Sequence, residues 1–393
     1  MVMASSALIT LPTKRAELPL ALYLHFPWCL HKCSYCDFNS RALTIGDHPK
    51  IEAYVKQLCR DLAHDAEPYA GTKLVSVYFG GGTPSLLPPS ALAEILRQIK
   101  QLFVIDEACE ITLEANPGTI NLAYCEALVE LGINRVSLGA QSFQNAILAQ
   151  IERIHTAEQI ESAVKMLRKA GISKLNLDLI FGLPHHTKVN VLDDLKRALT
   201  LPITHLSWYQ LTLEEFKHYA AIYQKRPLGD ELSEIQERGE RFLLNQGFQH
   251  YEVAAFARDA NSYCKHNLNY WTFGDYLGIG AGAHGKITGA DYQVIRTVKW
   301  DNPDAYLSAD NFYAEFKEVS VAELPFEFML NALRLYRPLS YQLFYERTGL
   351  QIKVLENQLK QAERLGFLQR RRDDLIVTVH GKNFLNDLLE LFL

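Results

Sequence analysis

The sequence predicts an α/β fold: a partial (β/α)6-type barrel carrying a smaller, mostly helical C-terminal domain. Two observations lead there. From Leu20 to about Leu213, strand-length apolar runs alternate with amphipathic helical stretches, the pattern of βαβ units whose parallel sheet is covered on both faces. From about Glu323 the pattern turns helical and closes on a short hairpin.

The strand-like runs are Leu20–Phe26, Leu74–Phe79, Glu110–Glu114, Arg135–Gly139, Lys174–Ile180 and His205–Leu211. Between them lie helical patterns over Ile51–Ala66, Ser90–Phe103, Leu122–Leu131, Ala157–Ala170 and Val189–Leu199. Pro88-Pro89 opens the second helix, and Gly132 and Gly171 follow the third and fourth, as start and stop residues do. Right-handed crossovers curl such repeats into a full or partial barrel, with the site at the carboxyl ends of the strands. Asp230–Asn245 is a further helical run and Tyr251–Phe256 a further strand, followed by a loop-rich stretch to about Asn311. Phe326–Leu335 and Val354–Leu365 are amphipathic and Leu375–Val379 is a short strand, an arrangement like a winged helix. Its recognition-helix position is not basic, so a domain capping the barrel is favoured over nucleic-acid binding.

Composition sets the outer bounds. With 393 residues, 48% hydrophobic and 22% charged, the chain can bury a full core and a second domain. The net charge is −5, from 40 Lys+Arg against 45 Asp+Glu, which gives no bulk positive field for nucleic acid. Arg370-Arg371-Arg372 runs at once into Asp373-Asp374, which suits a solvated turn. Seven cysteines without a disulfide framework point to a reducing cytoplasm. No apolar run reaches the ~20 residues of a membrane span.

Cys29, Cys33 and Cys36 read C-x3-C-x2-C. Pro27 and the preceding strand place them on a loop rather than along one helix face. Three thiolates can hold three irons of a [4Fe–4S] cluster and leave the fourth iron open, and an open position separates a reactive centre from a closed structural one. A zinc site would need a fourth ligand, which His31 could supply.

Further motifs fall at strand ends. Gly80-Gly81-Gly82-Thr83-Pro84 follows the second strand, and glycines let a backbone approach a ligand. Glu114 ends the third strand, where a carboxylate can accept from both hydroxyls of a ribose. Gln141 ends the fourth, and Asp178 lies within the fifth. A carboxylate buried there needs a partner, which Arg153 or a ligand donor could provide. His266-Asn267-Leu268-Asn269-Tyr270-Trp271 joins an imidazole to flat aromatic faces, with Cys264 two residues earlier; such groups suit haem. There is no C-x-x-C-H, so covalent haem attachment is not expected. Gly278-Ile279-Gly280-Ala281-Gly282 lacks the flanking strand and helix of a dinucleotide loop and reads as close backbone packing.

These residues together resemble the oxygen-independent coproporphyrinogen III oxidase family of radical S-adenosylmethionine (SAM) proteins, from about Leu20 to the C-terminus. The residues that carry the resemblance are Tyr23-x-His25-x-Pro27-x-Cys29, the three cysteines, the glycine run, Glu114, Gln141, Arg153 and Asp178. The resemblance implies a [4Fe–4S] cluster on Cys29, Cys33 and Cys36. It implies SAM chelated by the open iron and held by Tyr23, Tyr35, Gly81, Gly82, Thr83, Glu114, Gln141, Arg153 and Asp178. Two features depart from the oxidases: Phe38 stands at their fourth-cysteine position, and only 28 residues precede Cys29. Both, with H-N-x-x-Y-W, match the haem-chaperone branch of the family. That branch implies haem at His266, Tyr270 and Trp271, with Cys264 open as another ligand, and delivery to client haem proteins, including membrane-bound respiratory enzymes. The alternative is a radical SAM oxidative decarboxylase of porphyrinogen propionates; the departures argue against that coproporphyrinogen dehydrogenase activity. The expected organisation is a flexible leader over 1–19, the barrel over 20–215, an extension over 216–320 and the C-terminal domain over 321–393. The expected place is the cytoplasm, reaching the inner membrane face through a client. A homodimer is compatible with the sequence, and no interface can be read from it.

Overall fold

The computed structural model describes residues 11–12, 14–15, 17–212 and 224–393. The start of the leader and the junction at 215–216 lie outside the described residues.

The sheet has twelve strands. We number them β1 Leu20–Phe26, β2 Leu74–Gly81, β3 Glu110–Ala115, β4 Arg135–Gln141, β5 Lys174–Phe181, β6 His205–Gln210, β7 Gln249–Glu252, β8 Ala255–Ala257, β9 Asp275–Ile279, β10 His284–Thr288, β11 Val294–Lys299 and β12 Tyr313–Val319. Their order is β12-β11-β10-β9-β1-β2-β3-β4-β5-β6-β8-β7. β1 to β6 are parallel neighbours in sequence order, as the alternating pattern predicts. The crossover helices are α1 His48–Ala66, α2 Pro89–Leu102, α3 Leu122–Glu130, the short α4 Asn145–Gln150, α5 Ala157–Ala170 and α6 Lys188–Thr200. Gly171 ends α5 in the left-handed conformation, at φ 110°, the usual glycine stop. The strand cores are buried on both faces, as a parallel sheet between helices requires.

The stretch read as loop-rich is instead mostly regular. It holds α8 Lys265–Trp271 and the strands β9 to β11, and it follows the helix α7 Gly229–Asn245. β9 adds a seventh parallel strand, pairing Leu20 with Asp275 through Leu24 with Ile279. Its glycines hid it, because glycine weakens a strand signal while allowing close backbone approach. Glycine is required there: a Cβ on Gly278 would lie 2.0 Å from the His284 carbonyl oxygen, and one on Gly280 would lie 2.6 Å from that of His25.

The segment read as a flexible leader is tied down over its described part. Leu11 joins the core, the Tyr69 hydroxyl donates to the Pro12 carbonyl at 2.7 Å, and Arg15 sits 4.0 Å over the Tyr292 ring. The C-terminal region builds an apolar cluster around Phe328, Phe344 and Leu388 that also takes in Phe273, Val294 and Val319 of the barrel edge, with a three-stranded sheet of Leu339–Ser340, Asp374–Val377 and Leu368–Arg370. It is stitched to the barrel edge: Val253 N–H donates to the Arg334 carbonyl at 2.9 Å and Tyr336 N–H to that of Tyr251 at 3.0 Å. Arg370 at the hairpin pairs with Glu356 and Glu363, so part of the basic run is neutralised locally.

One buried charge cluster locks α1 to the antiparallel edge. Lys299 on β11 contacts Asp61 at 2.5 Å and Asp65 at 2.8 Å. Tyr306 and Tyr313 donate to the same two carboxylates at 2.7 and 2.6 Å. Removing one member of such a buried group leaves an uncompensated charge. Lys299→Met should lower the unfolding free energy by about 3–5 kcal/mol, read by urea denaturation; a loss below about 1 kcal/mol would show the cluster to be energetically idle.

Candidate functional site

The parallel strands end around a cavity of about 410 Å3, toward the small end of the roughly 300–1,000 Å3 typical of small-molecule sites. Cys29, Cys33 and Cys36 stand on its rim with Tyr35, Gly81, Gly82 and Thr83, and Glu114, Gln141, Arg153 and Asp178 line it more deeply. So the structure gathers residues that are up to 149 positions apart in sequence, from Cys29 to Asp178.

The cysteine loop holds its shape through backbone contacts. Trp28–Cys29 pairs with Arg41–Ala42, Leu43 N–H donates to the Cys29 carbonyl at 2.7 Å, and Cys36 N–H to that of Cys33 at 3.1 Å. Asn39 pins the loop to the sheet edge: its amide donates to Ala281 and Asp301 carbonyls, and its own carbonyl meets His25 Nε2 at 2.8 Å. A Cβ on Gly282 would lie 2.1 Å from the Asn39 amide nitrogen. The glycine-dense segment is therefore the seat of the cysteine loop. Among the described residues no three His, Cys, Asp or Glu side chains converge on one point. Burial pushes the Cys29 and Cys36 thiols up, so loading iron there releases protons.

Arg153, just after the short helix α4, reaches the loop across the cavity mouth. Its Nη1 donates to Cys33 Sγ at 3.5 Å and its Nη2 to the Gly139 carbonyl at 2.7 Å. Its Nε is buried without a partner, as are Gln141 Oε1 and Thr112 Oγ1. Three orphaned polar atoms in one buried wall cost free energy unless a ligand meets them. Gln141 also holds φ at 67°, at a register shift between β4 and β5, and such strain gathers at ligand sites. The anticipated Asp178–Arg153 pair is absent. Asp178 instead accepts from Ser137 at 2.9 Å and Asn176 at 2.8 Å, because Arg153 is spent on Cys33 and Gly139.

Glu114 accepts from the Tyr78 hydroxyl at 2.8 Å and from Gly81 N–H at 3.2 Å. Gly82 and Thr83 N–H groups donate to Phe26 and Trp28 carbonyls. The loop's N–H groups are thus used internally, and what it can still offer an amino group is carbonyl oxygen. The cavity fits a ligand with a diol, an amino group and a carboxylate: Glu114 retains free lone pairs, and Arg153 and Gln141 retain free atoms.

Three expected residues do not line the cavity. Tyr23 stacks on Tyr78 with ring centroids 6.2 Å apart and donates to His25 Nδ1 at 3.0 Å. His266 is buried behind Tyr78, 4.6 Å between ring centroids, with Nδ1 on Ser76 at 3.0 Å and Nε2 on Tyr270 at 2.9 Å. Both ring nitrogens are occupied within the protein, and burial lowers the His266 pKa to about 3, which keeps it neutral. Trp271, Asn267 and Cys264 of the same segment do line the wall. The sequence reading missed Thr112, Ser137, Asn176, His205, Glu252 and Arg334, which also line it. The signal was available for the first four: with Glu114, Gly139, Asp178 and Ser207 they are i, i+2 partners on strands β3 to β6, one inward row of a parallel sheet.

Comparison with known proteins identifies the family. The radical SAM superfamily pattern matches residues 23–198, and that of the HemN C-terminal domain matches residues 319–384. The chain is similar to the heme chaperone HemW of Haemophilus influenzae, 43% identical over 379 residues, covering 95% of this chain and 98% of that one. It is 40% identical to heme chaperone HemW of Escherichia coli, with 95% and 98% covered. The solved structure of coproporphyrinogen III oxidase (HemN) from Escherichia coli superposes with TM-score 0.81 at 22% identity, covering 96% of this chain and 91% of that one, which speaks for the fold.

Burial raises the Glu114 carboxyl to about 7. A carboxyl raised on folding supports the folded state below its unfolded value, ~4.5, and that support is lost as pH climbs through 7. Glu114→Gln should therefore flatten the fall in unfolding free energy of the ligand-free protein between pH 4.5 and 8, by roughly 2–3 kcal/mol. Denaturation at both pH values checks this, and an unchanged slope would place the titration elsewhere.

Proposed function

The chain belongs to the haem-chaperone (HemW) branch of the coproporphyrinogen III oxidase-like radical SAM family, and from that premise we propose that it binds haem together with a [4Fe–4S] cluster and SAM and delivers haem to client haem proteins. The observation that carries the reading is the match over 95% of this chain to a heme chaperone of which 98% is covered. The cavity supports it.

In this reading Cys29, Cys33 and Cys36 each hold one iron. When bound, the cluster supplies a chelating iron for SAM. Arg153 would take the methionine carboxylate through its free Nε, Gln141 Oε1 and the Gly81–Gly82 carbonyls the amino group, and Glu114 the ribose. Tyr35 packs beside Ile147 and Ile180 and lines the cavity, where it would touch SAM. Haem would meet the wall carrying Trp271, Asn267 and Cys264. His266 would serve this wall from behind: it braces Tyr78, and Tyr78 holds Glu114. No helix among the described residues is long and apolar enough to cross a membrane; the clients would include membrane-bound respiratory enzymes.

Anaerobic reconstitution tests the reading. Iron and sulfide should assemble a cluster on the wild type and not on Cys33→Ala. The loaded protein should bind haem, seen as a Soret change, and should not convert coproporphyrinogen III to protoporphyrinogen in the presence of SAM and a reductant. Turnover without haem binding would overturn the chaperone reading in favour of an oxidase. His266→Ala should leave the ligand field of bound haem unchanged while weakening SAM binding, because it loosens Tyr78; a changed Soret position would restore His266 as the ligand.

A further inference from the structure

The cavity wall holds a cation that nothing in the site uses. Arg334 follows the helix Leu324–Ala332 and lines the cavity beside Glu252, Val253 and Trp271. Its Nε donates to the Leu330 carbonyl at 3.1 Å, and its own carbonyl is taken by Val253. Its two terminal nitrogens have no hydrogen-bond or ion-pair partner among the described residues. The guanidinium stands 5.4 Å from the Trp271 ring. Burial lowers its pKa only from the arginine range, so it stays charged.

The neighbouring acid does not neutralise it. Glu252 is 3% exposed and accepts from Ala254 N–H at 3.3 Å, and no ion pair within 4 Å joins it to Arg334. Burial raises Glu252 to about 7, so near neutral pH much of it is protonated and repels an anion little. A half-buried guanidinium with two free donor nitrogens matches a carboxylate in fork geometry. Trp271 beside it offers a flat face to an aromatic macrocycle. The cavity, at about 410 Å3, is filled by one ligand of SAM's size, so a tetrapyrrole would reach this wall with an edge rather than enter whole.

We propose that Arg334 anchors a carboxylate of the bound tetrapyrrole, a propionate, against the Trp271 face, so that the C-terminal region supplies the carboxylate contact of the haem site. This rests on the haem-binding reading above.

The test compares haem with its propionate dimethyl ester, whose carboxylates can no longer pair. Both are titrated against the cluster-loaded protein by Soret absorbance, with SAM affinity measured alongside. The wild type should bind the ester about tenfold more weakly than haem, the loss of one charge-assisted contact of about 1.4 kcal/mol. Arg334→Gln should bind haem and ester alike, and Arg334→Lys should restore part of the difference, having the charge without the fork. Equal affinities in the wild type, or an unchanged preference for haem in Arg334→Gln, would overturn the proposal. Weakened SAM binding in Arg334→Gln with haem preference intact would also overturn it, assigning Arg334 to the methionine carboxylate. A wild type that binds neither tetrapyrrole would sink the chaperone reading itself, a result distinct from loss of the Arg334 contact alone.

Discussion

A polar group inside a parallel sheet must find a partner, because water cannot reach it and each unmet donor or acceptor costs about 1–3 kcal/mol. This constraint organises the molecule. Asp178 is met by Ser137 and Asn176, Asn176 in turn by His205 at 2.6 Å, and His205 by Tyr251 at 2.7 Å. A chain of hydrogen bonds thus runs from the fifth strand to the antiparallel edge, each member fixed by the next. Where the chain of partners stops, at Gln141, Arg153 and Thr112, the wall borders the cavity. These three unmet atoms are free to meet a ligand there.

The same logic explains why the cysteine loop is ordered by protein contacts. Three thiols on a free loop would lose much conformational entropy on taking up a cluster. Here His25 and Asn39 hold the loop against the sheet edge, and glycines at 280 and 282 leave room for that approach. Arg153 then spans from the fourth strand to Cys33. A hydrogen bond to a cluster sulfur is one of the protein's means of setting the properties of an iron–sulfur site, so this arginine links the cysteine loop to the ligand wall.

The C-terminal region is more than a cover. Its hydrogen bonds to Tyr251 and Val253 fix the β7–β8 hairpin, and the same turn carries Arg334 to the cavity. Trp271 receives that arginine on one side while His266, five residues earlier, braces Tyr78 on the other. One short helix therefore connects the strand-end cavity to the C-terminal region, which gives the H-N-x-x-Y-W segment a structural task alongside the haem contact proposed for it.

The sequence by itself determined the six-strand parallel order, the crossover helices to within a few residues, and several of the residues that line the strand-end cavity. Those features are local: period-2 and period-3.6 patterns and the residues at strand ends follow from side chains near one another in the chain. It also placed Cys29, Cys33 and Cys36 on one loop, since seven residues of spacing leave them little freedom. What the sequence could not determine was non-local. The pairing of β9 with β1 joins residues about 255 positions apart, Leu20 with Asp275, and no periodicity announces it. His266 looked like a ligand because an imidazole next to aromatics has the same composition whether it faces a cavity or packs behind one. Only the tertiary structure showed both its nitrogens occupied. Arg334 carried no motif at all; its meaning comes from the fold, which brings a lone guanidinium to a wall built by distant strands.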